Sequence, residues 1–401
     1  MEFNPLSPEF QANPYPLYDM LRVNSPIFHW EQWNIRFLTR YEDCVALLKD
    51  NRLGHEILNV MTREELGWPP EPPAEFEPYL EMNRGWMLFR DPPTHTRLRM
   101  LVHKAFTPRM IEQLRGRTQG IADTLLDAVQ DAGKMDIIAD LAVPLPVTVI
   151  AEMLGVPQSD HHLFRAWSRD LAHSLELTDA PEVYEAATKA TTAFSAYLRD
   201  LANDRRKNPQ DDLMSALVAA EEQGDKLTES ELISTCILLL VAGHETTTNL
   251  IGNGMLALLR HPDQMAKLQA DPTLGKNAIE ELLRYDSPVQ MTSRTVLEPV
   301  DYNGYHFPRG GQVSFMLGAA NRDPEQFDHP ETLDITREHN PHLSFSNGIH
   351  YCLGAPLARM EGQIAIMTLL KRMPKLQLVD DDPPYRPTYV LRGLSSLPVT
   401  F

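Results

Sequence analysis

The sequence predicts a mainly α-helical protein that carries a smaller β-rich region. The middle of the chain is a succession of amphipathic patterns with helical spacing, and one apolar stretch beginning near Thr228 is long enough for an unusually long helix. Alternating patterns typical of strands occur near the N-terminus and after Pro288. No linker or repeat divides the 401 residues, and the 32 prolines are scattered, so we expect one domain over residues 1–401.

The N-terminal part predicts a small sheet between helices. A helix is expected at residues 14–24, strands at Ile27–Trp30 and Asn34–Thr39, and a second helix at Tyr41–Lys49. Residues 67–82 are rich in proline and glutamate and lack periodicity. They indicate a mobile surface loop, which is a suitable place for a substrate entrance.

The central part predicts five amphipathic helices and then the long one. The five helices are expected at about 108–132, 141–154, 160–175, 181–206 and 211–221. The long helix begins where Thr228-Glu-Ser-Glu231 fits a capping box and ends near Arg260, just before Pro262. At about 1.5 Å per residue it spans roughly 50 Å, a length that suits a helix crossing the core past a cofactor.

The C-terminal part returns to strand patterns and contains one further helix, which opens at Ala355. The predicted strands are Thr292–Leu297, Val300–Tyr302, Gln312–Phe315, Leu376–Val379 and Leu397–Phe401.

Charge and cysteine usage restrict the class of protein. The net charge of −18 argues against nucleic acid and anionic membranes as partners. Cys44, Cys236 and Cys352 are far apart and form no C-x-x-C pair, which argues for a reducing compartment and against a disulfide framework or a zinc site. The longest strongly apolar run, Cys236–Gly243, is too short to span a membrane, and the first residues do not form a signal peptide. We therefore expect a soluble, cytoplasmic protein.

The stretch Phe345–Gly354 places one cysteine just before the helix that opens at Ala355. A helix N-terminus lowers a thiol pKa and favours the thiolate, so we expect this for Cys352. Gly348 allows a tight turn, and Gly354 allows the backbone to approach the sulfur. A single thiolate suits a cofactor with one open axial position, such as haem iron. The alternative is a buried, inert cysteine.

A second pattern lies inside the long helix, at Ala242–Thr247. Glycine and threonine are poor helix formers, and such residues in a core helix indicate function. The small Ala242 and Gly243 would let a flat macrocycle approach the backbone. Glu245 and Thr246 would supply a carboxylate and a hydroxyl where protons must reach bound dioxygen. The alternative is a helix kink with solvated polar residues.

Taken together, the motifs resemble those of the cytochrome P450 family, in particular its soluble bacterial members. F-x-x-G-x-x-x-C-x-G around Cys352, A-G-x-[DE]-T at Ala242–Thr246, Glu281-x-x-Arg284 and His95-x-x-x-Arg99 occur in the family's order. The resemblance covers essentially the whole chain. It implies the triangular-prism fold of that family, with a buried haem b.

The resemblance implies a haem site. Cys352 would be the axial ligand of the iron, in a loop that includes Phe345 and Gly354, and Ala242 and Gly243 would lie against the macrocycle. The residues that would bind the haem propionates are His95, Arg99, Arg294 and His350. Charge agrees with this assignment, because two carboxylates inside a protein need cationic or donor partners.

The resemblance also implies a reaction, in which one oxygen atom of O2 is inserted into a hydrophobic molecule. Glu245 and Thr246 would support proton delivery. A structural set beneath the haem would consist of Glu281, Arg284 and Arg337. From the sequence alone, Glu281 and Arg284 would be read as a surface ion pair. A peroxide-driven haem enzyme or haem-thiolate isomerase and a non-catalytic haem sensor are the alternatives, and the Glu245-Thr246 pair argues against the first.

The expected substrate is a fatty acyl chain, steroid, terpenoid or polyketide lactone. The residues that family geometry places around the pocket are Trp86–Leu88, Leu238, Val241, Ala242, Val289–Met291 and Leu394. Plain core packing is an equal alternative for each.

Electrons are expected from separate proteins, because the chain carries no flavin or iron–sulfur motif. The natural partner is an acidic ferredoxin or flavodoxin with its NAD(P)H reductase, acting on a monomer. Residues 95–117 are basic in an otherwise acidic chain, and Arg97, Lys104 and Arg109 are the expected docking residues. A solvated helix face is the alternative.

Overall fold

The computed structural model describes residues 4–5, 7–68, 71, 73–176, 180–222 and 227–401. Helices dominate in these residues, and the mainly α class with a smaller β-rich region is confirmed. The α-helices are α1 (Pro8–Ala12), α2 (Tyr15–Asn24), α3 (Tyr41–Leu48), α4 (Glu77–Gly85), α5 (Thr94–Ala105), α6 (Pro108–Asp127), α7 (Pro144–Met153), α8 (His161–His173), α9 (Pro181–Lys207), α10 (Leu213–Glu222), α11 (Glu229–Arg260), α12 (Pro262–Ala270), α13 (Gly275–Tyr285), α14 (Leu317–Ala320) and α15 (Ala355–Arg372).

The long helix α11 forms the centre of the core. Its start is fixed by the predicted capping box, in which the Glu231 N–H donates to Thr228 Oγ1 (3.2 Å) and the Thr228 N–H donates to Glu231 Oε2 (2.8 Å). The helix is buried along most of its length and packs against α4, α7, α8, α9, α13 and α15. Neither α11 nor any other helix in the described part of the chain is long and apolar enough to cross a membrane.

The strands form one larger sheet and two small ones. They are β1 (Ile27–Trp30), β2 (Ile35–Leu38), β3 (Leu53–Gly54), β4 (Lys134–Asp136), β5 (Thr292–Val296), β6 (Val300–Tyr302), β7 (Tyr305–Phe307), β8 (Gln312–Phe315), β9 (Gln377–Leu378) and β10 (Pro398–Thr400). The larger sheet has the order β1-β2-β8-β5-β3, in which β2 and β8 are parallel and the other neighbours are antiparallel. This pairing brings the N-terminal strands beside those that follow Pro288.

One predicted loop contains a helix. Residues 77–85 form α4, although 67–82 were expected to be an aperiodic surface loop; residues 69, 70 and 72 of that range lie outside the described residues. Pro78 occupies the first turn, where its missing N–H costs nothing. Tyr79 and Met82, three residues apart, are buried on the side that meets α9 and α11. Tertiary packing therefore overrides the loop-like composition.

Candidate active site

The loop before α15 holds Cys352 in a defined position. The Cys352 N–H donates to the Phe345 carbonyl at 2.9 Å, which closes the loop on itself. Gly348 has a φ of +70°, and a Cβ on it would lie 2.5 Å from the Leu48 carbonyl oxygen, so this turn requires glycine. The Arg359 guanidinium lies over the Phe345 ring, 4.4 Å from its centroid. The loop and the helix start together fix the position of the thiol.

The expected low pKa of the Cys352 thiol is wrong for the polypeptide alone. Burial raises this pKa above its ordinary value, although the N–H groups of Gly354 and Ala355 and the charge of Arg99 act in the opposite direction. Coordination to a metal ion deprotonates a thiol outright and would act against this effect of burial. A Cβ on Gly354 would lie 3.9 Å from Cys352 Sγ, an ordinary contact, so room at the sulfur does not by itself require this glycine.

Beside the Cys352 loop, imidazole and guanidinium groups from distant parts of the chain meet. The ring centroids of His95 and His350 are 4.4 Å apart, and Arg99 Nη2 donates to the Tyr351 carbonyl at 2.7 Å. Arg294 on β5 is buried, and it donates to the Ser293 carbonyl at 2.7 Å. The structure thus brings together all four residues that the sequence analysis assigned to the propionates.

Several polar atoms of this cluster lack a partner. Both ring nitrogens of His95 and Nε2 of His350 are shielded from solvent and have no hydrogen-bond partner among the described residues. Burial lowers the pKa of His350 to about 2 and that of Arg294 to about 10. A buried guanidinium with neutral, unpaired imidazoles beside it needs an anionic partner. A cofactor that carries carboxylates fits this set of donors.

A cleft of about 380 Å³ opens next to the cluster. It is lined by Arg294, by residues 348–350, by residues 48–51 and by Leu53. Two members of the cluster, Arg294 and His350, thus border an open cleft.

The Ala242–Thr247 motif is the part of α11 that borders open space. Ala242 is exposed and Thr246 is partly exposed, whereas most of α11 is buried. The Thr246 hydroxyl donates to the Ala242 carbonyl at 2.8 Å, so its oxygen remains able to accept a hydrogen bond. A Cβ on Gly243 would lie 2.6 Å from Ile150 Cδ1, so close packing against α7 accounts for this glycine. Contact of Ala242 and Gly243 with a macrocycle stays a prediction.

Glu245, the expected proton-delivery carboxylate, forms an ion pair. Its partner is Arg386, and both side chains are mostly buried. Burial lowers the pKa of Arg386 below its ordinary range. The sequence analysis missed Arg386, because it lies in no motif and far from Glu245 in the chain. The neighbouring residue His244 connects α11 to α8, because it shares a 2.7 Å hydrogen bond with Ser168. Burial lowers the pKa of His244 to about 3.

The E-x-x-R pair lies inside the protein and is not a surface ion pair. Glu281 and Arg284 on α13 are fully buried and form two hydrogen bonds of 2.8 Å. Arg337 Nε and Asn340 Nδ2 also donate to Glu281 Oε2, at 3.1 and 3.0 Å. Arg284 further donates to three backbone carbonyls, those of Asn321, Pro330 and Thr332. The set therefore ties α13 to the irregular segment before the Cys352 loop.

These features agree with what comparison with known proteins finds. A family model described as Cytochrome P450 matches residues 45–393. The chain belongs to the cytochrome P450 family. It is therefore a P450 monooxygenase, an oxidoreductase whose family uses haem-thiolate iron and O2, and the predicted family, fold and enzyme class are confirmed.

Individual P450s match over almost their whole length. The polyketide biosynthesis cytochrome P450 PksS of Bacillus subtilis (strain 168) is 44% identical, over 99% of this chain and 98% of that protein. The biotin biosynthesis cytochrome P450 of the same organism is also 44% identical, over 98% of both chains. A crystal structure of P450BioI in complex with hexadec-9Z-enoic acid ligated acyl carrier protein has a TM-score of 0.91 and 43% identity, covering 98% of this chain and 100% of that chain.

The predicted pocket residues of this P450 lie in three different clusters. Those in the main core, fully or partly buried, are Trp86, Leu88, Leu238, Val241 and Leu394. Val289 packs beside the sheet and pairs with Leu391, whereas Met291 packs with Tyr18 and other residues of the N-terminal part. A pocket-lining role for these residues stays a prediction.

The basic segment of this P450 is partly neutralised. Arg97 on α5 forms an ion pair with Glu231, the capping residue of α11, so it connects two helices. Lys104 and Arg109 are exposed. Met100 on α5 and Ile349 and Tyr351 in the Cys352 loop have relative exposures of 50%, 41% and 41%, which are high for large apolar side chains. The hydrogen bond from Arg99 to the Tyr351 carbonyl joins α5 to this loop, so exposed apolar and cationic side chains occur on adjoining segments.

Proposed function

We propose that this P450 inserts one oxygen atom of O2 into a hydrophobic acyl or polyketide-like molecule, using haem b bound through Cys352. The observation that carries the proposal is the meeting of the Cys352 loop with the buried cluster of His95, Arg99, Arg294 and His350. When bound, haem with a thiolate ligand supplies dioxygen binding and O–O cleavage. The chain holds and orients the group, and it supplies protons from the α11 motif.

Each residue has a distinct part in this proposal. Cys352 would ligate the iron, and His95, Arg99, Arg294 and His350 would donate hydrogen bonds to the haem carboxylates. On α11, the Thr246 hydroxyl donates to the Ala242 carbonyl, so its oxygen accepts a proton-bearing partner on the open side. Glu245 reaches that role after release from Arg386, because in the ion pair the guanidinium occupies its carboxylate. The ion pair with Arg386 must therefore break before the Glu245 carboxylate can take part in proton delivery.

The substrate class is argued from the relatives. The similar proteins include one of polyketide biosynthesis, one of biotin biosynthesis and one bound to an acyl-loaded carrier protein. The first and the third of these support a long, largely apolar acyl or polyketide chain. The expected steroid and terpenoid classes have weaker support from these matches.

A ligand screen tests the proposed function. The purified haem protein is titrated with a free fatty acid, an acyl chain on a carrier protein, a macrolactone and a steroid, and the haem absorption spectrum is recorded. Displacement of an iron-bound water shifts the main band, and we expect this shift with the acyl or macrolactone ligands. The compounds that shift the band are then incubated with the protein, a ferredoxin, its reductase and NADPH. Failure of every acyl and macrolactone compound to shift the band or give a hydroxylated product would contradict the proposal.

Replacing Thr246 with Ala is expected to uncouple reductant use from product formation. The substitution removes a hydroxyl and little bulk, so the spectral change on substrate binding should persist. Without the hydroxyl, proton delivery loses its selectivity, and most of the reductant should appear as hydrogen peroxide. Product and peroxide are measured per NADPH consumed. Thr246→Ser restores the hydroxyl and is the matched control; equal coupling in all three proteins would remove Thr246 from the mechanism.

Docking of the electron donor is assigned to the surface beside the Cys352 loop. It includes the exposed apolar side chains Met100, Ile349 and Tyr351 and the exposed cations Lys104 and Arg109. An acidic ferredoxin or flavodoxin matches these cations, whereas the rest of the acidic protein repels it. Arg97 also forms an ion pair with Glu231, so part of its charge is neutralised within the chain.

Charge reversal at Lys104 or Arg109 is expected to slow the first electron transfer several-fold. The rate should also fall as salt rises, because the Debye length shortens to about 8 Å near physiological ionic strength. Stopped-flow reduction of the haem by an acidic ferredoxin measures both effects. Lys189→Glu, at an exposed position on α9, is the control for net charge. Rates that respond neither to salt nor to the two reversals would make this surface an ordinary solvated face.

A further inference from the structure

His55 lies in the imidazole and guanidinium cluster but belongs to none of the sequence motifs. Its ring meets the His350 ring edge-on at a centroid distance of 5.1 Å and the Phe89 ring at 5.7 Å. Nε2 of His55 is shielded from solvent and has no hydrogen-bond partner among the described residues. A shielded polar atom of this kind indicates a partner that the chain itself does not supply.

The backbone around His55 is fixed by a carboxylate. The N–H groups of His55 and Glu56 donate to Asp91 Oδ2 at 2.9 and 2.8 Å. A Cβ on Gly54 would lie 2.5 Å from the same oxygen, so the close approach of Asp91 requires a glycine there. These contacts hold the backbone at His55 in place, and the ring is packed against His350 and Phe89.

The strand pairing brings His55 close to Arg294. On β3 and β5, Leu53 pairs with Val296 and Gly54 with Thr295. One further step in this antiparallel register places His55 opposite Arg294. The cleft of about 380 Å³ that is lined by Arg294 and His350 also includes Leu53, two residues before His55. His55 does not line this cleft itself, but it lies next to Arg294 and His350, which do.

The charges around His55 select the kind of ligand. Burial lowers the pKa of His55 to about 3, and the positive charge of Arg294 adds to this effect, so the ring is neutral at pH 7. The nearby Asp91 carboxylate is already occupied by backbone donors. A ligand that satisfies both a buried guanidinium and an unpaired imidazole must be an anion with acceptor oxygens. A carboxylate has this chemistry.

We propose that His55 is a further cofactor-binding residue, whose Nε2–H donates a hydrogen bond to a carboxylate of the haem. The proposal rests on the proposed function, because it needs haem in this site. It adds a third imidazole to those of His95 and His350, supplied by the turn after β3. The neutral ring carries its proton on Nε2, so it donates a hydrogen bond to the carboxylate. It does so without placing a second positive charge beside Arg294.

Two substitutions separate hydrogen bonding from packing. His55→Phe keeps a ring against His350 and Phe89 but removes Nε2, whereas His55→Gln places an amide N–H close to the same position. Haem release is measured by transfer to excess apomyoglobin, and the propionate bending bands are recorded by resonance Raman spectroscopy. Arg294→Gln is the positive control, and His306→Phe, at an exposed position on β7, is the negative control.

We expect His55→Phe to release haem about tenfold faster or more, the size of a lost hydrogen bond to a charged group. Its propionate bands should shift, and His55→Gln should restore both readouts most of the way. Wild-type release and wild-type bands in His55→Phe, with fast release in Arg294→Gln, would overturn the role of His55 alone. Equal acceleration in Phe and Gln variants with unshifted bands would make His55 a packing residue and would also overturn the proposal. A wild-type protein that binds no haem would instead overturn the proposed function.

Discussion

Replacing Cys352 with His is expected to abolish the thiolate-type absorption band of the reduced carbon monoxide complex and all monooxygenase activity. A sulfur ligand donates more electron density to the iron than an imidazole does, and both the band and O–O cleavage depend on it. The variant should still bind haem, because the propionate cluster does not involve residue 352. The measurement is the difference spectrum of the dithionite-reduced protein with and without carbon monoxide, together with product formation.

Two further proteins make this experiment specific. Cys236→Ala removes a buried thiol of α11 that has no part in the proposed site, and it should keep the thiolate-type band. Cys352→Ser offers an oxygen at nearly the same position and should lose the band as well. An imidazole-type spectrum in the wild-type protein, or a thiolate-type spectrum in Cys352→His, would show that the iron is held elsewhere.

Structural features that depend only on a short stretch of sequence were predicted well. The capping box at Thr228 and Glu231 is local, and it gave the start of α11 within one residue. The bounds predicted for β1 and β8 agree with the structure, since each is a short run of strand-forming residues next to residues that favour turns. In contrast, α4 was missed because only Tyr79 and Met82 mark its apolar side, and the helices that bury them are distant in the chain.

The candidate site shows the same division. The motifs located Cys352, His95, Arg99 and the α11 stretch, because each is a fixed spacing along the chain. His55 and Arg386 were not found, since each gains its meaning from a partner that tertiary folding brings near: His350 for His55 and Glu245 for Arg386. Contacts between residues that are distant in the chain leave no fixed spacing in the sequence, so motifs do not predict them.

Electrostatics could not be read from the motifs either. The helix N-terminus at Cys352 predicts a low thiol pKa, yet burial is the larger effect and raises it. The spacing of Glu281 and Arg284 predicts an ion pair, but it does not tell whether water reaches the pair. Burial depends on the segment from Asn321 to Asn340, which closes over α13. That burial determines how much stability is lost when one partner of the pair is removed.

Replacing Glu281 with Gln is expected to destabilise the protein by about 3–5 kcal/mol, the usual cost of removing one partner from a buried ion pair. Arg284 would keep its charge at a fully buried position without the carboxylate. Arg337 donates to Glu281 Oε2 and the Asp334 N–H to Oε1, and a glutamine keeps only one acceptor oxygen for these two donors. Arg284→Lys should also be severely destabilising, because one ammonium cannot replace a guanidinium that donates to a carboxylate and three backbone carbonyls. Urea denaturation of the haem protein, followed by far-UV circular dichroism, measures both changes.

The chain offers a matched control with the same spacing. Glu112 and Arg115 form an E-x-x-R pair on α6, with Arg115 Nε 2.6 Å from Glu112 Oε1, and both side chains are exposed. Water screens this pair, so Glu112→Gln should leave the urea midpoint unchanged. The comparison isolates burial, because residue types, separation and helical geometry are shared. A midpoint for Glu281→Gln equal to that of Glu112→Gln would mean that the Glu281, Arg284 and Arg337 set does not hold the segment before the Cys352 loop. A large loss confined to Glu281→Gln would show that burial gives the pair its structural weight.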